Sequence, residues 1–105
     1  MKRLTATQLA KILAAAYTVA LGAEDSERDI AELQSTVKIG SDAVGHTGQT
    51  GISAYFATES TMISSAQYDF PSVVWAFEET LQKGLEPFGM FAEPINGCEY
   101  GIYVS

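Results

Sequence analysis

A glycine-rich stretch has the spacing most suggestive of chemistry in this sequence. Residues 40–51 read GSDAVGHTGQTG, and the first eight match the phosphate-binding pattern G-x-x-x-x-G-K-[ST], except that His46 replaces the lysine. That lysine holds a fixed positive charge against the phosphates, which a neutral imidazole does not supply. Asp42 would also repel phosphate. We therefore interpret residues 40–51 as a flexible connector, and keep a small-ligand or nucleotide-binding module that uses this loop as an alternative function.

Side chains that serve as nucleophiles, bases or metal ligands are few. A single cysteine, Cys98, and a single histidine, His46, exclude an intramolecular disulfide, a cysteine zinc cage and a multi-histidine site. Cys98 falls in a predicted hairpin, where cysteine usually packs as a small apolar residue. The neighbouring carboxylates of Glu78 and Glu79 would point about 100° apart on a helix, so they would not converge on one substrate atom. We expect no enzymatic activity, no catalytic residue, no cofactor and no metal.

Trp75 is the residue whose position points most directly to binding. The apolar face of its predicted helix is formed by Val73, Val74, Phe77 and Leu81. Trp75 falls on the opposite side, beside Glu78 and Glu79. It either packs under residues 58–67 or is exposed as a contact anchor, because tryptophan is enriched at the energetic centres of interfaces. Trp75, Glu78 and Glu79 are therefore candidate partner-binding residues.

A second set of acids follows one face of an earlier predicted helix. Asp25, Asp29 and Glu32 stand at i, i+4 and i+7. Acids early in a helix are favoured by its dipole, so a solvated face is enough to account for them. The same carboxylates would also suit a basic partner, and we include all three among the candidate partner-binding residues.

The elements that must position these residues predict an α+β fold. A capping-box spacing opens a helix over about residues 5–21, and a second helix over 26–40 completes an N-terminal antiparallel helical hairpin. Alternating residues indicate a strand at 52–57. Residues 58–67 are expected to form a loop or a weak strand. A third helix over 71–84 is expected to pack on a small antiparallel sheet.

The last part of that sheet is a C-terminal hairpin. The Asn-Gly pair at 96–97 lies between two extended apolar runs, which favours a two-residue type I′ turn with positive φ at both positions. Such a turn would pair Phe91 with Ile102. The resulting core face would hold Phe91, Tyr100, Ile102 and Val104.

Length and charge limit the class of protein and of partner. The 105 residues fit a single domain, 1–105, and 6 basic against 13 acidic residues give a net charge of −7. An acidic surface repels phosphate backbones, so we expect no direct nucleic-acid binding and a basic protein or ribonucleoprotein complex as partner.

The N-terminus has the basic start and short apolar run of a secretory signal, but Gln8 and Lys11 interrupt it. We expect a cytoplasmic protein without a membrane span.

These observations favour a small acidic non-enzymatic protein that acts by protein–protein contact. The expected role is inhibition of a basic nucleic-acid-handling target. In character the chain resembles phage-encoded inhibitors of bacterial defence complexes, anti-CRISPR proteins among them, and nuclease-immunity proteins, although it contains no motif of either group. A structural subunit of a larger assembly is a further alternative, and a homodimer stays open.

Overall fold

Helices are interspersed along the chain with the strands of one antiparallel sheet. The computed structural model describes residues 3–24 and 26–105, apart from the side chains of residues 67 and 68, and within them it confirms the α+β class. The helices are α1 (Ala6–Leu21), α2 (Glu27–Ser35), α3 (Ser41–Thr47), α4 (Met62–Asp69) and α5 (Pro71–Leu85). The strands are β1 (Lys38–Ile39), β2 (Ala54–Ala57), β3 (Met90–Pro94) and β4 (Glu99–Val104), and a 3-10 turn (Glu86–Phe88) links α5 to β3. They form one antiparallel sheet in the order β1-β2-β4-β3.

The N-terminal antiparallel helical hairpin is confirmed. α1 begins after the predicted cap at Thr5, whose side chain accepts the backbone N–H of Gln8 at 3.1 Å. The side chain of Gln34 donates to the Ala10 carbonyl at 3.0 Å, so the end of α2 lies beside the start of α1. α2 ends at Ser35 rather than near residue 40, because residues 38 and 39 pair with β2 as strand β1.

The interpretation of residues 40–51 as a flexible connector is wrong, because residues 41–47 form α3. Glycines in the positive-φ region bracket this helix, Gly40 at 59° and Gly48 at 75°. Ala43 is fully buried in a small apolar cluster with Tyr55 and Ile52. Burial of one helix face against the sheet thus stabilises a segment that local propensity alone would leave irregular.

Residues 58–67, expected to be a loop or a weak strand, contain most of α4 instead. Asp29 accepts the backbone N–H of Met62 at 3.0 Å, so a residue of α2 satisfies one of the orphan donors at the start of α4. Ile63 and Ala66 are buried. The contact between Met62 and Asp29 spans 33 residues of sequence, which is why the local pattern did not indicate a helix.

Both faces of the sheet are covered at β2, whose four residues are all buried. The main core lies between the sheet, α1 and α5, and its largest fully buried side chains include Phe56, Phe77, Leu9, Leu13 and Ile102. The opposite face carries the smaller cluster around Ala43 and Tyr55. α1 and α5 therefore form one layer and α3 covers part of the other side.

The C-terminal hairpin exists, but its two-residue type I′ turn does not. Neither residue 96 nor residue 97 has a positive φ. The Ile95 N–H donates to the Glu99 carbonyl at 2.8 Å, and the Asn96 side chain accepts the Cys98 N–H at 3.0 Å. The loop is therefore one residue longer than expected.

That extra residue shifts the register of the hairpin by one. Phe91 pairs with Tyr103, and Ala92 pairs with Ile102. Because neighbouring residues of a strand point to opposite faces, the shift moves Phe91 off the predicted core face. Its ring lies 5.7 Å from that of Tyr103. Val104, also expected in the core, is 60% exposed.

Candidate functional site

A groove of about 500 Å³ lies between α5 and strands β3 and β4 of the sheet. The lining from α5 includes Trp75, Glu78, Glu79, Gln82 and Lys83, the 3-10 turn adds Glu86, and the strands contribute Ala92, Pro94 and Tyr100. Trp75 is 68% exposed. Of the two positions considered for this residue, the structure therefore shows the exposed one.

Glu78 is held in place inside this groove, hereafter the Trp75 groove. The buried Tyr100 donates its hydroxyl to the Glu78 carboxylate at 2.6 Å. Burial and the Glu78 carboxylate both raise the pKa of Tyr100, so its hydroxyl stays protonated and remains a donor. The carboxylate is thus oriented before any partner arrives.

Glu79 is paired within its own helix. Its carboxylate lies 3.2 Å from the Lys83 ammonium, at i and i+4. Both side chains are well exposed, so the pair contributes only about 0.3–0.5 kcal/mol. With Glu78, Glu79 and Glu86 against Lys83, the lining has two more negative than positive side chains.

Gln82 covers the outer edge of β3. Its amide nitrogen donates to the Met90 carbonyl at 3.3 Å, and its amide oxygen accepts the Ala92 N–H at 3.2 Å. Pro94, the next residue facing that edge, has no N–H to offer. Gln82, beside Trp75 on the predicted helix, and Glu86 were not chosen as candidate residues from the sequence, although both follow Trp75 at helical spacing, i+7 and i+11.

Two members of the second acidic set, Asp29 and Glu32, lie outside this groove. Asp25 lies outside the described residues. The Asp29 carboxylate accepts the Tyr17 hydroxyl at 2.5 Å as well as the Met62 N–H, so it links α1, α2 and α4. Glu32 is exposed on α2. No residue of α2 is part of the described lining of the Trp75 groove, so Asp29 and Glu32 lie on a different surface from Trp75, Glu78 and Glu79.

His46 and Cys98 lie near one carboxylate, that of Glu99. Tyr55 and Asn96 donate hydrogen bonds to Glu99 and thereby lower its pKa. His46 stands 3.9 Å from the same carboxylate, with its ring centre 4.5 Å from that of Tyr55. Burial and two nearby carboxylates raise the pKa of Cys98, which keeps the thiol protonated. This cluster joins α3 to the sheet and is the opposite of an activated-thiol environment.

The described part of the chain holds no cluster of metal-ligating side chains and no helix suited to cross a membrane. Across residues 3–24 and 26–105, no three His, Cys, Asp or Glu side chains are grouped so as to hold a metal ion. None of the helices in that part is both long and apolar enough to cross a bilayer. In comparisons with known proteins, the chain matches no family model, no curated protein and no solved structure.

Proposed function

We propose that this chain is a non-enzymatic inhibitor that binds a basic protein or ribonucleoprotein complex and blocks its handling of nucleic acid. The observation that carries this proposal is the exposed Trp75 at an acidic groove. Tryptophan is among the residues that dominate binding energy when a partner covers them. An exposed indole beside carboxylates suits a basic surface with an apolar depression.

The state of the titratable groups supports binding rather than catalysis. Glu78 and Glu79 are engaged by different neighbours, Tyr100 and Lys83, so they do not act as a coupled acid and base pair. The protonated Cys98 thiol is a poor nucleophile. In the cluster around Glu99, Tyr55 and Asn96 already bond to the carboxylate, and the raised pKa of Cys98 works against an activated nucleophile.

The net charge of −7 supports the choice of partner. A negative field speeds encounter with a basic surface and repels phosphate backbones. A chain bound over a basic surface would thus compete with nucleic acid for it. Targets of this kind act in the cytoplasm of a bacterium or its host, which is where we place the protein, as a single domain over residues 1–105.

The experiment uses three versions of the chain as bait in a cell lysate: wild type, Trp75→Ala and Glu32→Gln. A protein captured by the wild type is purified, and its affinity for labelled DNA or RNA is measured by fluorescence anisotropy as each version is added. We expect the wild type to displace the nucleic acid, with slower association at higher salt. Trp75→Ala should weaken binding by about thirtyfold, as loss of a central aromatic anchor does.

Glu32→Gln removes an exposed charge of the second candidate set, outside the groove, so it tests whether the partner contacts α2 instead. A loss with Glu32→Gln as large as with Trp75→Ala would move the contact to α2. Unchanged nucleic-acid binding at saturating wild-type chain would contradict inhibition. Salt-independent association would assign the acidity to solubility alone.

The two other functions considered from the sequence have less support. In the ligand-module alternative, loop amides would cradle a phosphate, but the amides of Val44 and Gly48 are used in helical bonds to Gly40 and Val44. A structural-subunit role would produce concentration-dependent self-association, which sedimentation analysis of the same wild-type sample measures.

A further inference from the structure

The edge of β3 limits how a partner can enter the Trp75 groove. A peptide that extends a sheet needs backbone donors and acceptors along the edge strand. At Ala92 the donor is already bonded to the Gln82 side chain, and at Pro94 there is none. A partner segment must therefore be recognised through its side chains, not through backbone pairing with β3.

The chemistry of the groove favours one cationic side chain over the other. An arginine guanidinium is planar, stacks on an indole face and makes two parallel hydrogen bonds to a carboxylate. A lysine ammonium is instead a compact, strongly hydrated point charge. The groove offers the exposed Trp75 face and the Glu78 carboxylate, which are one helical turn apart on α5. Since Tyr100 already fixes Glu78, less ordering entropy is lost on binding.

We infer that the Trp75 groove is an arginine-binding site for an extended segment of the partner protein. The guanidinium lies against Trp75 and pairs with Glu78. The rest of the segment runs over Ala92 and Pro94 without adding a strand to the sheet. This inference rests on the proposed function, because it names the part of the basic partner that the groove holds.

Short peptides test the inference on the full chain. Nine-residue glycine–serine peptides with two arginines, two lysines or two citrullines are titrated into isotopically labelled protein. Amide chemical shifts and the emission of Trp75, the single tryptophan, are followed. We expect the arginine peptide to shift amides of α5 and β3 and to change the emission. The lysine peptide should bind at least several-fold more weakly, and the citrulline peptide should not bind measurably.

Two charge-matched variants locate the contact. Glu78→Gln keeps an acceptor for the Tyr100 hydroxyl but removes the charge, and should weaken the arginine peptide about tenfold. Glu27→Gln, which removes an exposed charge on α2 outside both candidate sets, should leave it unchanged. Equal binding of the arginine and lysine peptides would overturn the inference, and so would shifts confined to other surfaces. Binding of free arginine amide as tight as that of the peptide would make this a small-cation site and overturn the protein-segment assignment.

The two proposals fail in different ways. If the captured partner depends on Trp75 but no arginine peptide binds, the arginine site is wrong and the proposed function stands. If the arginine peptide binds in the groove but the partner is indifferent to Trp75→Ala, the groove recognises arginine and the proposed function is wrong.

Discussion

The packing of α1 against α5 depends on a glycine that the sequence pattern placed at the end of a helix. Gly84 lies inside α5, which continues to Leu85. A Cβ atom added there would stand 2.7 Å from Ile12 Cγ2 and 3.1 Å from Ile12 Cγ1. Ile12 is β-branched and lies on a helix, so its rotamer cannot easily move these atoms away.

Two opposing effects determine how Gly84→Ala changes the free energy of unfolding. Alanine in a helix interior is favoured over glycine by about 0.5–1 kcal/mol. Overpacking of a tight contact costs about 1–3 kcal/mol. The contact with Ile12 is close enough for overpacking to dominate. We therefore expect a net loss of about 1–2 kcal/mol in the free energy of unfolding, or roughly 4–8 °C in melting temperature for each kcal/mol.

Urea unfolding of a double-mutant cycle measures this effect. In an Ile12→Ala background both γ carbons are absent, and the nearest remaining atom, the β carbon, is at an ordinary 3.4 Å. There Gly84→Ala should stabilise the chain by about 0.5 kcal/mol, so the sign of its effect reverses. If Gly84→Ala stabilises the wild-type background as well, the close approach of α1 and α5 is refuted.

Three further substitutions test other contacts. Asp29→Asn weakens the link among α1, α2 and α4 and should cost about 1–3 kcal/mol in urea unfolding, whereas Glu32→Gln should change stability by less than about 0.5 kcal/mol; equal losses would contradict the link. Gly101→Ala places a Cβ 2.5 Å from the Tyr103 hydroxyl, so it should displace that ring and cost about 1–3 kcal/mol, and an unshifted ring in NMR spectra would contradict this. Hydrogen bonds lower the pKa of Glu99 in the folded state, so the ionised carboxylate stabilises the fold above the ordinary pKa of 4.5, and this stabilisation is lost as the pH falls below that value. Glu99→Gln should therefore flatten the fall in melting temperature over that acidic range. An equally steep fall in the variant would show that other carboxylates cause it.

The C-terminal hairpin shows how far local sequence signals reach. The Asn-Gly pair between two apolar runs was enough to predict two paired strands and their place in the fold. It did not predict the register, because the Asn96 side chain bonds to the Cys98 N–H and lengthens the loop by one residue. One residue of shift was then enough to place Phe91 on the wrong face.

α3 and α4 mark the limit of local reasoning in another way. α1 carries its own cap and apolar face, α2 has acids in its first turn and an apolar stripe, and both helices were predicted. α3 and α4 depend on contacts with distant residues, the burial of Ala43 against the sheet and the bond from Met62 to Asp29. Neither contact leaves a pattern in the segment itself, so the sequence alone favoured irregular structure there.

The role of Gln82 also depends on contacts with residues distant in the sequence. Helical spacing could have placed it beside Trp75, but its two bonds to the edge of β3 depend on where the hairpin lies relative to α5. The acids of the groove could be predicted from the helical wheel. The blocked edge of β3 could not be predicted in this way. In the proposed binding mode, this blocked edge is what requires a partner to be recognised through its side chains.

Packing supports the proposal that Trp75 is a binding residue. The apolar face of α5 already fills the core with Phe77, Leu81 and Leu85, all almost fully buried. Trp75, at 68% exposure, adds little to that core, and a smaller polar residue would serve the helix at least as well. Alanine at this position should therefore change stability by less than about 0.5 kcal/mol, against about 3–5 kcal/mol for a buried tryptophan. The indole surface that stays exposed in the free chain would be buried by a partner covering it. We therefore expect Trp75→Ala to weaken binding while changing the free energy of unfolding little.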